Sequence, residues 1–197
     1  MKILLVDAFN LFIRCFSTIS QYNESGNHVG AISGSISSLY SFYKRIEPDF
    51  IFLCYEGKNS GNRRRKSFHL YKSGRRSPHT INNQDSLNPE SEFWNELMLF
   101  QQLISMTPIC PVSVDYLEGD DIISYLVRSL TSTGNQCVIA STDQDYYQLI
   151  SENTSVYNPT KKEIIDQNVL FEKFQIPSYN WLIAKCFFGD KSDNISK

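Results

Sequence analysis

Glu118, Asp120 and Asp121 crowd together in DYLEGDDIISYLVRSL (115–130), just ahead of an apolar run. Like charges this close repel, and a helix start needs at most one acid as cap or dipole partner. The placement recurs. Asp7 follows KILLV, Glu56 follows FIFLCY, Asp143 and Asp145 follow CVIAST, and GDKSDN adds Asp190 and Asp193. So many carboxylates cannot stay ionised together without counter-charge. An oxygen-only donor set, free of His and Cys, suits the hard cations Mg²⁺ or Mn²⁺. Two such ions roughly 4 Å apart can activate a water and stabilise the leaving oxygen of a phosphodiester. Each acid also has a plainer explanation when taken alone. Asp120 and Asp121 could be cap and dipole partners, each worth about 0.3–1 kcal/mol. Asp143 and Asp145 could cap YYQLI, Asp7 could be a loop acid, and Glu56 could pair with an Arg. Repetition at four strand ends favours the joint metal site.

The elements that must position these acids are legible as periods. KILLV (2–6), FIFLCY (50–55) and CVIA (137–140) are short, nearly continuous apolar runs, as expected of strands buried on both faces; PVSV (111–114) is a further strand. Helical periods separate them at 31–46, at 91–106 and from Ile122 to Leu130. Strands alternating with helices predict an α/β domain with a mostly parallel central sheet. Ligands of such sheets bind beyond the carboxyl ends of the strands, which is where the acids fall. A hairpin is expected at 155–165, turning at Asn158-Pro159, and a helix at 179–188.

Residues 58–90 break the alternation. From Lys58 to Arg76 there are eight Lys or Arg and no acid, out of nineteen basic residues in the whole chain, so the net charge of −2 conceals a dipolar distribution. Arg63, Arg64, Arg65 and Lys66, then Tyr71, Lys72, Arg75 and Arg76, follow Glu56 closely and emerge beside the acidic edge. Cations neutralise phosphates and aromatic faces stack on bases, so this insertion suits a polyanionic strand better than it suits a merely solvated loop. Asn10 and Arg14, one to two turns past Asp7, are candidate phosphate or ligand-positioning contacts, with simple surface roles as the alternative.

Composition bounds the rest. The chain is 41% hydrophobic and 20% charged, in keeping with one soluble globular domain over 1–197. Its apolar runs fall far short of the roughly 20 residues of a membrane helix, and MKILLVDAFN is too short for a signal peptide. A cytoplasmic setting with no membrane partner is expected. Five scattered cysteines, never in C-x-x-C, read as reduced thiols rather than a disulfide or metal framework.

In order, VDAFNLFIR, LCYEGKNSGNRRRKSFHLYKSGRR, LEGDDIISYLV, ASTDQDYYQL and FFGDKSDNI resemble the 5′-nuclease family (flap endonucleases and 5′–3′ exonucleases) of PIN-like fold, phage-encoded members and phage ribonuclease H above all. The resemblance spans essentially the whole chain. It implies a metal-dependent nuclease that removes flaps, RNA primers or nicked 5′ ends in replication, acting as a monomer on DNA or RNA–DNA. It implies two ions, with Asp7, Glu118 and Asp120 nearer one and Asp143, Asp145, Asp190 and Asp193 nearer the other, while Glu56 and Asp121 complete the acid set. YKSGR becomes the arch or gateway: Lys72 contacts the scissile phosphate, Tyr71 stacks on a base, and Arg75 and Arg76 steer the single strand. Arg14 falls where the family has a basic residue near the site. The sequence departs from the pattern at Glu56, where Asp is usual, and at Gly119, where Ala is common. The family's helix–three-turn–helix element, which grips duplex, would follow residue 197, so a separate polypeptide could supply it. A small-molecule phosphohydrolase fits less well, because VDAFN lacks a D-x-D pair and the basic cluster is excessive for a small substrate. A weakly active or inactive branched-nucleic-acid binder is the other alternative.

Overall fold

The structure is a computed structural model and describes residues 1–72 and 89–189. Six strands form one sheet in the order β3-β2-β1-β4-β5-β6: β1 Lys2–Asp7, β2 Phe50–Glu56, β3 Cys110–Val114, β4 Gln136–Ala140, β5 Thr154–Asn158 and β6 Glu163–Ile165. All neighbours run parallel except β5 and β6, which form the expected hairpin. The carboxamide oxygen of Asn158 accepts from the N–H groups of Thr160 and Lys161 (both 3.0 Å) and shapes its turn. The helices are α1 Ala8–Thr18, α2 Gly30–Ile46, α3 Asn62–Ser67, α4 Pro89–Ser105, α5 Gly119–Thr131, α6 Gln167–Phe174 and α7 Trp181–Phe188, with a 3-10 turn at Gln144–Leu149.

The continuous apolar strands have two buried faces, as their composition requires. Leu4 and Val6 point into a core with Phe12, Phe16, Phe42, Phe93 and Phe100, from α1, α2 and α4. Ile3 and Leu5 point the other way, into a core with Ile122, Ile123, Val127, Tyr147 and Leu170. Period-2 alternation in β1 thus supplies both sides of a three-layer sandwich. The edges differ: β3 is largely exposed and β6 is three residues long.

Helix α4 leads back from residues 73–88 and is pinned by a buried polar pair. His28 Nδ1 lies 2.7 Å from Glu96 Oε2, and the other oxygen of Glu96 accepts from the Ile32 N–H (2.9 Å). His28 Nε2 faces the Ile19 carbonyl at 2.9 Å. Two differences from the sequence reading stand out. Asn62–Ser67 is helical inside the basic insertion, and α4 begins at Pro89, so the last two residues of 58–90 are helical too. RRRK offers no apolar period, which is why pattern reasoning passes over it.

Candidate metal and nucleic-acid site

The strand order reverses at β1, whose neighbours β2 and β4 lead to opposite edges. That switch point opens a crevice at the carboxyl ends of the strands. Asp7 is the last residue of β1 and the N-cap of α1, where its carboxylate accepts from the Asn10 N–H at 3.0 Å. Register places Asp7 opposite Cys54 of β2, two residues short of Glu56. On the other side, β4 ends at Ala140 and its loop carries Ser141 to Asp143, with Asp143 capping the 3-10 turn. Beyond β3, Glu118 is the N-cap of α5 and Asp120 and Asp121 lie in its first turn. The acids therefore converge because three parallel strands end together and two helices start there.

One cavity of about 290 Å³ collects them: Asp7, Glu56, Glu118, Asp120, Asp143 and Asp145 all line it. Asn10, Arg14, Tyr71 and Lys72 line it too. Asp121 does not. Its carboxylate accepts from the Glu118 N–H (3.1 Å), the reciprocal half of a helix cap, and from both terminal nitrogens of Arg64 (3.1 and 2.9 Å). Arg63 lines a neighbouring cleft with Ser60 and Tyr116, whereas Arg65 and Lys66 are exposed on α3. Arg75, Arg76, Asp190 and Asp193 lie outside the described residues.

Burial dominates the electrostatics. It raises the Asp7 carboxyl from 3.8 to about 6, against hydrogen bonds from Asn10, Tyr146 and Ser141 that pull it down. Burial likewise raises Asp120 to about 6, with Arg64 opposing and Glu118 and Asp121 adding to the rise. Cations of the chain supply part of the missing counter-charge. Arg64 lies 2.6 Å from Glu118, 2.9 Å from Asp121 and 3.6 Å from Asp120. Lys72 donates to Glu118 at 3.0 Å, as does the Tyr71 hydroxyl at 2.9 Å, and Lys185 of α7 pairs with Asp145.

Sequence reasoning missed three parts of this site. Tyr146 is buried and its hydroxyl donates to Asp7 (3.1 Å); burial and the neighbouring acids push its phenol well up, so it stays a donor. Ser141 also donates to Asp7 (3.3 Å), and both residues flank the acids in ASTDQDYY, a signal that could have been used. Lys185 is 40 residues from its partner and gave no local signal. Asn10, expected at the nucleic acid, accepts from Thr142 through both its N–H (3.2 Å) and hydroxyl (3.0 Å), and so fastens α1 to the β4 loop.

The donor set fits hard divalent cations: every candidate ligand is a carboxylate, and burial penalises their charge. Among the described residues no three acids lie close enough to hold one ion, because Arg64, Lys72 and Lys185 draw Glu118 and Asp145 toward themselves. Ions would therefore have to exchange with these side-chain cations.

A family model described as the 5′–3′ exonuclease, N-terminal resolvase-like domain, matches residues 2–175. The chain is 27% identical over 195 residues to thermostable DNA polymerase I of Thermus thermophilus, covering 98% of this chain and 22% of the polymerase. It is 29% identical over 195 residues to a 5′–3′ exonuclease of Buchnera aphidicola and 27% over 198 residues to that of Aquifex aeolicus, spanning 64% and 62% of their lengths. Among solved structures, the bacteriophage T5 5′-exonuclease with zinc bound superposes with a TM-score of 0.80 at 19% identity, covering 98% of this chain and 69% of that one. The T5 flap endonuclease in a pseudo-enzyme–product complex with DNA and metal ions gives 0.79 at 18%, covering 100% of this chain and 69% of its own. These structures share the fold.

Proposed function

Because the chain belongs to the 5′–3′ exonuclease family, through its amino-terminal resolvase-like domain, we propose that it is a divalent-metal-dependent 5′-nuclease. It hydrolyses phosphodiesters of DNA or RNA–DNA near 5′ ends or flaps, as in primer or flap removal during replication. The observation that carries this reading is the meeting of six carboxylates in one cavity with Lys72, Tyr71 and Arg14 on its wall.

Two Mg²⁺ or Mn²⁺ ions would supply water activation and leaving-group stabilisation. Asp7, Glu118 and Asp120 would hold one, and Asp143 and Asp145, joined by Asp190 and Asp193, the other, with Glu56 reaching from the end of β2. Asp121 completes the acid set from the neighbouring side. The remaining work falls to the chain's own residues. Asp7 is fixed by Asn10, Ser141 and Tyr146, which hold its carboxylate in one orientation. Lys72, held at Glu118, is positioned to pass to a phosphate oxygen and stabilise the charge that grows there. Tyr71 offers a stacking face, and Arg14, Arg63, Arg64, Arg65 and Lys66, with Arg75 and Arg76, neutralise backbone phosphates. The chain acts as a monomer in the cytoplasm, and a further segment or a separate polypeptide grips the duplex.

The test uses labelled flap, nicked and RNA–DNA substrates in Mg²⁺. The wild-type chain should cut them, and Asp120→Asn should lose activity by a factor of about 10³ or more, since an ion and its activated water depend on it. Equal activity in the variant, or none in either protein, sinks the reading; salt-sensitive binding without products would favour a binding module instead.

A further inference from the structure

The acid cavity continues into a second, larger one of about 610 Å³. The two share Tyr71, Asp120, Asp145 and Tyr146, so they are two ends of one groove with acids at the join. At the far end α5 forms the wall through Ser124, Tyr125 and Arg128, and Gln148 faces them from the 3-10 turn. Asp121, Ser124, Tyr125 and Arg128 are spaced three and four apart and share one helix face. Tyr125 is 71% exposed, an aromatic ring that packs into neither core. Arg128 has no carboxylate partner among the described residues, whereas Arg64, Lys72 and Lys185 nearby are all paired. This end of the groove therefore offers an open ring and an uncommitted guanidinium one step from the acids. Its volume lies within the range of about 300–1,000 Å³ of small-ligand sites.

We propose that the α5 end of the groove is a subsite for a single-stranded nucleotide adjoining the reacting phosphate, on its 5′ side. Tyr125 stacks on the base and Arg128 holds the flanking phosphate. The inference rests on the nuclease reading and extends it: a strand crossing the acids must continue along the groove, and only this end presents both a stacking face and an unpaired cation among the described residues. Substrates with an unpaired 5′ extension are then preferred over those without one.

The test compares binding of two labelled duplexes to the 197-residue chain, one blunt and one with a six-nucleotide 5′ oligothymidine overhang. Ca²⁺ replaces Mg²⁺, and recovery of intact strands is checked. Wild type should favour the overhang. Tyr125→Ala should shrink that advantage about tenfold with no change in salt dependence. Arg128→Ala should shrink it and also lower the slope of log affinity against log salt by about 0.7, the loss of one phosphate contact on a single strand. Arg128→Lys should restore the slope. Melting temperatures confirm that the exposed substitutions leave the fold intact. An unchanged advantage in both alanine variants overturns the proposal, as does an equal loss on both duplexes. If Arg128→Ala changes melting temperature but not the slope, Arg128 serves only the end of its helix, and the subsite is refuted. The parent reading fails on a different measurement, wild-type chain leaving every substrate uncut in Mg²⁺.

Discussion

Burial holds the Asp7 carboxyl at about 6 instead of 3.8, so the folded chain binds that proton more tightly than the unfolded chain does. The sign follows from linkage: stability of the metal-free protein falls as pH rises from about 4 to about 6, then levels off, by something on the order of 3 kcal/mol. Asp120 shifts the same way, but its side chain is still 38% exposed, so solvent screens its share. In EDTA, Asp7→Asn should melt higher than wild type at pH 7 and converge with it near pH 4; parallel curves would contradict this. Arg64 makes a second case. Its guanidinium sits among Glu118, Asp120 and Asp121, where an entering ion would need room. Arg64→Gln should lower metal-free stability yet tighten Mg²⁺ binding about tenfold by calorimetry, equivalent to about 1.4 kcal/mol of competition removed; unchanged affinity would show that the ion never meets this side chain. The acids were legible in the sequence because residue type alone announces them. Their cations were not, because RRRK presents three consecutive arginines and only the fold decides that the middle one turns inward.

Glycine at position 57 shows how an element fixes a ligand. A Cβ there would stand 1.7 Å from the Val114 carbonyl oxygen, and the Gly57 N–H donates to Leu117 (3.0 Å). The end of β2 is thus pressed against the exit of β3, which sets Glu56 beside the start of α5. Gly57→Ala must push these segments apart, at a cost of about 1–3 kcal/mol, and should weaken Mg²⁺ binding through displacement of Glu56 and Glu118. A variant with wild-type melting and wild-type metal affinity would show that the contact is soft. Gly119 has no such constraint, since its nearest neighbour to an added Cβ is the Cys54 carbonyl at 3.8 Å. The four leading strands and three long helices were readable because apolar period tracks burial. Helix α6 escaped, because QNVLFEKF buries one residue, Leu170, and carries too little pattern to register. The 3-10 turn escaped as well: Asp143 was read correctly as a cap, but the element after it tightens into a single short turn.

At the scale of the molecule, a parallel sheet and its acid-bearing edge could be deduced, but the order of the strands could not, because apolar runs do not encode their neighbours. That order explains why the acids meet. With β1 central, Asp7 lies between the groups delivered by β2 and β4, and any other central strand would have split the cluster. It also leaves β3 at one rim, exposed along most of its length, with Pro111 paired to Leu53 and lacking a donor. Proline is tolerated there because the ladder to β2 can run without that N–H. The consequence concerns neighbours in solution. An open strand of a parallel sheet is a template onto which another molecule can zip, and a missing donor in its middle interrupts the template. Pro111→Val should leave nuclease activity in place while raising light scattering of the concentrated protein on gentle warming, and equal scattering would mean that the rim is guarded by something else. A residue remote from all the chemistry would then set how densely the protein can be kept in solution.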